Sequence, residues 1–384
     1  MRIQVRLPKI QPNEYELPKQ CPYDGCSGDA FKPHGRKGEA KAVRDTDHDK
    51  VTSYRYKCAT CGYTFRIYPA GVSQAQQSNR LKAMSVLLYI LGISYGGVAD
   101  FLWSFGLQMS KTTVYDNVQA AGVVARKRQK ATVKHGGQRA IIGADGTFLK
   151  VKGVQVGIEV VVDDETGELL GLDITASEST EEIEPFIREI AEQVKAEVLV
   201  SDDFNSYKNI ADNADLAHQI CQSHIIRNVD KVVESIGRPT RMLHPPLMPK
   251  GVKSSYHQIE RDCRILQGLV RDRPPDAKQI LAILYDCYKA TLTPRPKQKH
   301  SIWYRMKRLI WRLWMRWERI TLHDHFEQLD GTNNACERLI GWWIKERYRT
   351  MRGYKRTLSI RNVVAVTSLL GAAAEPYDMG LLYA

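Results

Sequence analysis

The sequence predicts a multidomain chain. A small cysteine-bearing module and an all-α module come first, followed by an α/β domain on a mixed five-stranded sheet with a helical insertion. Three observations predict this. Two cysteine pairs lie near the start of the chain, apolar residues then recur at helical spacing, and beyond residue 140 strand-like runs alternate with helices. At 384 residues the chain exceeds one average domain and accommodates two to four. A hydrophobic fraction of 43% suffices for their cores. The 56 basic residues outnumber the 43 acidic ones, giving +13, and such an excess points to a polyanionic partner, most commonly nucleic acid. Ribosomal and membrane-surface proteins share that balance, so the chemistry must come from particular residues.

Residues 1–19 are polar and lack the apolar core of a secretory signal. The longest apolar run, Val86 to Ile93, is too short to span a bilayer. The expectation is a soluble, cytoplasmic protein with no membrane partner, in a compartment where thiols stay reduced. Cys21 and Cys26 form one pair and Cys58 and Cys61 another. Paired thiolates on tight turns suit one tetrahedral structural Zn²⁺, and residues 18–68 read as a zinc ribbon. The second pair sits in Tyr54–Arg66, whose alternating aromatic and basic residues predict a short hairpin. His34 and His48, between the pairs, could replace a cysteine.

From Arg80 the period is helical: Leu81, Met84, Leu87, Leu88 and Leu91 share a face, and Gly92 breaks it. A second short helix carries Val98, Phe101, Leu102 and Phe105 and ends at Gly106. Ser110 caps a third, in which Val114, Val118 and Ala121 face inward. Lys111, Thr112, Thr113, Tyr115, Asn117 and Gln119 are assigned to its other side. Three short helices with a tight second turn resemble a helix-turn-helix, whose last helix enters the major groove; an ordinary three-helix packing unit fits the same pattern. The basic run Arg126 to Lys130, with Lys134, reads as a linker. Residues 74–135 are the expected DNA-binding region and linker.

Residues 140–149 read as a central strand, 156–162 as a second, and 169–175 as a third after the turn at Asp163–Gly167. A helix over 180–195, a strand at 197–202, a helix from Ser206 and a strand at 217–221 follow. Three hairpin-connected strands, then helix, strand, helix and strand, is the order of an RNase H-like sheet. Its expected bounds are 137–230 and 328–375, with a helical insertion at 231–327 broken by prolines at 245–246, 274–275 and 294–296. Within the insertion, Trp303, Met306, Ile310, Trp314 and Trp317 share one helical face, and Arg305, Arg308, Arg312, Arg316 and Arg319 the opposite one. The apolar face predicts core packing, and the arginine row suits a phosphate backbone.

With 43 acids, an Asp, Asp, Glu order arises by chance, so context decides. Asp145 lies in an apolar strand, where an unpaired carboxylate is costly to bury. Asp202 ends the Val198–Val200 strand, a common place for active-site residues in open sheets. Glu337 follows the turn Asp330–Asn334 and falls in the first turn of a helix, where the helix dipole alone also favours a carboxylate. Two strand acids and a helix acid form an oxygen-rich set for two Mg²⁺ or Mn²⁺ ions, which support in-line phosphoryl displacement.

The segments Ala144–Thr147, Val200–Tyr207 and Thr332–Arg338 resemble the three acid boxes of the DDE transposases of bacterial insertion sequences. In that family a tyrosine commonly follows the second acid by five residues; Tyr207 stands there and selects Asp202 over Asp203. The family's third box, Asn-Asn-x-x-Glu-Arg, precedes a basic helix and an Arg-Gly pair. Here these are Glu337-Arg338, then Lys345, Arg347, Arg349 and Arg352-Gly353. Cys221 and His224, with Arg227, resemble a Cys-x-x-His box of several branches. Some relatives place a lysine seven residues after the glutamate. This chain has Ile344 there and Lys345 one further, about 80° away around an α-helix. The resemblance implies catalytic Asp145, Asp202 and Glu337 holding two Mg²⁺ or Mn²⁺. It also implies cleavage at terminal inverted repeats, strand transfer into target DNA, nucleoid association and a homodimer or higher assembly. DNA contacts are expected from Lys111, Thr112, Thr113, Tyr115, Arg312, Arg316, Arg338, Lys345 and Arg352. His224 is read either as a contact near the site or as a structural residue at a strand end. Cys221, Cys263, Cys287 and Cys336 have no ligand spacing and read as buried thiols. Two other readings compete: a catalytically inactive, transposase-derived DNA-binding regulator, and an RNase H-like nuclease without joining activity.

Overall fold

A computed structural model describes residues 3–240, 247–296, 300–350, 354–373 and 375–383. The chain forms two compact units. One comprises Met1–Thr132, Leu149–Gln155 and Ile340–Ala384, the other Val133–Phe148 and Val156–Leu339.

In the first unit, β1 (Val5–Arg6) pairs in parallel with β11 (Tyr377–Asp378). A four-stranded antiparallel sheet holds β2 (Phe31–Pro33), β3 (Glu39–Ala42), β4 (Lys50–Cys58) and β5 (Thr64–Ile67), with the long β4 pairing all three others. The expected hairpin is β4–β5, with Tyr54 opposite Ile67. Helices α1 (Asn79–Ile90) and α2 (Tyr95–Trp103) start at Ser78 and Ser94, each serine accepting a backbone N–H three residues on. Ser110 caps α3 (Lys111–His135) in the same way.

Two expectations for α3 are corrected. The basic run at 126–130 is helix, because the apolar spacing through Val114, Val118 and Ala121 continues to Ala125 and no breaker intervenes. Asn117 faces inward, since it lies three residues after Val114 on the same stripe; it is buried and donates to Ser85 Oγ at 3.1 Å. Helix α12 (Thr357–Gly371) crosses α3 at Gly122, where a Cβ would lie 2.3 Å from Asn362 Cβ, so only glycine permits this approach.

The second unit is built on a five-stranded mixed sheet in the order β10, β9, β6, β7, β8. The strands are β6 (Ile141–Val151), β7 (Val154–Asp163), β8 (Leu169–Thr175), β9 (Val198–Ser201) and β10 (Ala217–Ile220). Strands β7 and β8 form an antiparallel hairpin, while β9 runs parallel to both β6 and β10. One face of the sheet (Ile142, Ala144, Val161, Leu199) packs on α4 (Thr180–Val194) and α5 (Asn205–Asn213) through Ile183, Ile187 and Ile210. The other buries Ile141, Val198 and Val200 with Leu329, the two-residue alternation of strands covered on both sides.

A second core joins α6 (Gln222–Thr240), α7 (Ile259–Asp272), α8 (Ala277–Tyr288) and α9 (Ile302–Ile320). Trp303, Met306, Ile310 and Trp317 lie in it, as the periodicity predicts. The expected break at 245–246 lies outside the described residues. No helix among the described residues is long and apolar enough to cross a membrane.

Candidate active site

The sheet places Asp145 and Asp202 first. Strands β6 and β9 are parallel neighbours with Gly143 opposite Val200. The pairing ends there; Asp145 lies two residues further along β6, and Asp202 follows directly on the end of β9. Alternation keeps Asp145 on the face of Ile141 and Gly143, and Asp202 on that of Val198 and Val200, which are one face of the sheet. Both acids are half-buried. Asp145 Oδ1 accepts the Gly146 N–H and Asp202 Oδ1 the Phe204 N–H, each at 2.9 Å.

Glu337 comes from α10 (Asn334–Leu339), fastened to that face by Asn333. This fully buried side chain donates to the Ala144 carbonyl at 2.9 Å, and the backbone N–H of Asn333 reaches Cys221 Sγ at 3.3 Å. Gly143 permits the approach: a Cβ there would meet Asn333 Oδ1 at 2.8 Å and Cys336 Sγ at 3.3 Å. One residue thus ties the helix of Glu337 to the strand of Asp145 and to the end of β10. In the sequence Asn333 shows only as part of the Asn-Asn-x-x-Glu-Arg box, since its partners Ala144 and Cys221 lie more than a hundred residues away.

Glu337 groups with Cys221 and His224, whose ligand atoms all lie within 4.8 Å of one another. Neither Asp145 nor Asp202 belongs to that group. His224 Nδ1 faces Glu337 Oε1 at 3.5 Å, and Arg227 Nη2 is 4.0 Å from the same oxygen. Both facing atoms are buried without a hydrogen-bond partner among the described residues, an arrangement a bound cation would satisfy.

Asp203, the rejected neighbour of Asp202, has a different setting. Its side chain is 2% exposed and ion-paired to both Arg312 and Arg316, and its carbonyl accepts from the same two arginines at 2.9 Å. This changes the arginine row of α9. Arg319 pairs with Asp212 and reaches His218, while Arg305 donates to the Ser235 carbonyl at 3.2 Å. Most of the row is therefore fastened to the protein, because its counter-charges come from α5 and the loop before it, a hundred residues away in sequence.

Glu159 was not anticipated. This β7 residue is 1% exposed and accepts the Tyr207 hydroxyl at 2.9 Å. Burial pushes its carboxyl well above the usual range, and Asp145, Glu178 and Asp202 add to the shift. Burial likewise raises Glu178, with Asp202 contributing. Carboxylates that raise one another in this way mark concentrated negative charge suited to divalent cations. The signal was present in the sequence, as a lone acid between Ile158 and Val160, the same context that singled out Asp145.

After α10 the backbone widens into a π-helical turn, Ile340–Lys345, before α11 (Glu346–Thr350). A π-turn holds more residues than an α-turn, so the 80° offset of Lys345 reckoned for a plain α-helix does not apply. Arg338 and Lys345 are exposed. Arg347 is buried, donating to the Ile90 carbonyl at 2.7 Å and lying over the Tyr89 ring. Arg352 lies outside the described residues. On α3, Lys111 and Thr112 are exposed, whereas Thr113 and Tyr115 are half-buried.

In the first unit, Cys21, Cys26, Cys58 and Cys61 converge. Cys21 Sγ lies 3.6 Å from Cys61 Sγ, and Cys26 Sγ 3.8 Å from Cys58 Sγ. Four thiolates about 2.3 Å from a tetrahedral Zn²⁺ stand about 3.8 Å apart, so the donor set fits that ion. Backbone N–H groups, led by that of Cys61, lower the Cys58 thiol to about 6, while burial pushes Cys21 up to about 12, so without an ion the four thiols share their charge unevenly. His48 faces Asp45 instead, and the cysteines need no histidine.

The mixed sheet thus carries Asp145 within β6 and Asp202 just past the end of its neighbour β9, and Asn333 fastens the helix of Glu337 to it. The chain belongs to the transposase IS66 family, whose model matches residues 75–349, more than half its length. Comparison with curated proteins gives no match. Membership implies nucleic-acid phosphoryl transfer, DNA as partner and use of divalent metal.

Proposed function

We propose that this transposase cuts DNA at the ends of a mobile element and joins the freed 3′ ends to target DNA, with Asp145, Asp202 and Glu337 holding two Mg²⁺ or Mn²⁺ ions. What supports the reading is the parallel pairing of β6 and β9, the strands that lead to Asp145 and Asp202, together with the bond from Asn333 to the Ala144 carbonyl that ties the helix of Glu337 to β6. The strand order fits an RNase H-like domain over 137–230 and 328–375, with 231–327 as its helical insertion. The zinc ribbon at 18–68 and a helix-turn-helix at 74–135 read the element ends, with Lys111, Thr112, Thr113 and Tyr115 toward DNA. The active assembly is a homodimer or larger, because two ends must be held together.

Bound divalent ions supply activation of water or a 3′-hydroxyl and stabilisation of the leaving oxygen. The chain's residues prepare that step. Asn333 fixes the Glu337 helix against β6. His224 faces the Glu337 carboxylate and stands beside the DNA. Exposed Arg338 and Lys345, with Arg352, meet phosphates near the cut, and Arg312 and Arg316 keep the Asp203 loop in shape while offering their remaining N–H groups to the backbone. An assay for joining separates this reading from a nuclease and from an inactive regulator. Pre-cut element ends with free 3′-hydroxyls, incubated with the protein, Mn²⁺ and a supercoiled plasmid, should become covalently attached to the plasmid. Cleavage without any joined product would favour the nuclease.

A further inference from the structure

Between α5 and α9 lies a cleft of about 740 Å³ that begins at Asp203, one residue beyond Asp202. Its lining combines cations with exposed aromatic rings. Phe204 is 42% and Trp311 43% exposed, and both line the cleft with Lys208, Arg305 and Arg308. Trp311 is held from behind, its ring 5.3 Å from Tyr285 and 5.4 Å from Trp314. It is therefore a fixed platform on a helix, not a mobile surface side chain. The charges divide into two groups. Arg312 and Arg316 have their charge offset by Asp203, which leaves only their remaining N–H groups for a ligand. Lys208 and Arg308 have no hydrogen-bond or ion-pair partner among the described residues, and Arg305 bonds only the neutral Ser235. The cleft thus keeps positive charge and pairs it with ring faces.

Duplex DNA offers phosphates but hides its base faces, so it uses only half of such a lining. Unpaired nucleotides use both, because bases stack on aromatic rings while cations follow the backbone. Resting on the transposase reading for its DNA partner, we propose that this cleft binds an unpaired stretch of a DNA strand, with bases on Phe204 and Trp311 and phosphates on Lys208 and Arg308.

Fluorescence anisotropy of the full chain with labelled oligo-dT, blunt duplex and duplex with a single-stranded tail tests this, using Trp311→Ala, Trp311→Phe and Lys208→Ala/Arg308→Ala. Trp311→Ala should weaken oligo-dT and tailed binding about tenfold, the effect of losing one stacked base, and leave blunt duplex unchanged. Trp311→Phe keeps a ring and should retain most of the affinity, which also shows that the site tolerates substitution. The double variant should weaken oligo-dT and flatten its salt dependence. Equal loss on blunt duplex, or no loss on oligo-dT, overturns the proposal, and tighter binding of oligo-U overturns DNA as occupant. Metal-dependent cutting is scored separately. A protein that fails to cut but loses tail binding in Trp311→Ala refutes the catalytic reading and leaves the cleft assignment standing.

Discussion

Exchanging Asp203 for alanine should destabilise the second unit by about 3–4 kcal/mol, whereas the same exchange at Asp202 should cost almost nothing. The estimate follows from the environment of each carboxylate. Asp203 is 2% exposed and holds Arg316, itself 13% exposed, so that half counts as a buried pair. Removing one partner of such a pair costs roughly 3–5 kcal/mol. Arg312 is 47% exposed, and its half adds only about 0–1 kcal/mol. Both guanidiniums keep the Asp203 carbonyl, which moves the sum toward the lower end. Against a typical total of about 5–15 kcal/mol the loss is large. Asp202 stands among acids that repel one another, so its removal relieves charge. The assay is urea unfolding followed by tryptophan fluorescence, since α9 carries Trp303, Trp311, Trp314 and Trp317. An Asp203→Ala protein as stable as the parent, or an Asp202→Ala protein equally weakened, would refute the assignment of a structural task to one acid and a chemical one to its neighbour.

Other consequences can be checked alongside. Tyr207→Phe removes the hydroxyl given to buried Glu159 and should cost about 1–3 kcal/mol; Glu159→Gln keeps an acceptor and should be near neutral, so equal losses from both would contradict the pairing. His218 is buried between Ser201 and Arg319, and burial, with Arg319 adding to it, lowers its ring to about 3 from 6.5. The folded state therefore resists the proton that the unfolded chain accepts. Stability should be full above about pH 6.5 and fall progressively toward pH 3, and His218→Gln should flatten that fall in acid unfolding curves. One zinc per chain is expected by metal analysis. A chelator, or Cys58→Ser, should expose residues 18–68 to protease while leaving the α9 fluorescence transition in place, and a zinc-free protein with an intact module would remove the metal assignment.

The strands were legible because their signals are local. Leu169–Thr175 reads from its own residues, and Val198–Ser201 announces itself by an apolar run ending in an acid. The cysteine pairs were legible for the same reason. The charges of α9 were not, since a helical wheel shows that five arginines share a face but not that Asp203 and Asp212 stand opposite them. Glu159 escaped because its partner Tyr207 lies 48 residues away, although its apolar strand context was visible. The tail of α3 was masked by its charges, even though Ala125 continues the buried stripe. The parallel pairing of β6 with β9, the strands that lead to Asp145 and Asp202, is a property that neither strand carries alone.

The most direct test of the central claim is nicking of a duplex bearing the element's own ends by the purified protein with Mg²⁺ or Mn²⁺, measured together with binding of that duplex. The account predicts that the parent nicks, and that Asp145→Ala, Asp202→Ala and Glu337→Ala each bind as before and do not nick. Normal cutting by any one of the three would contradict it.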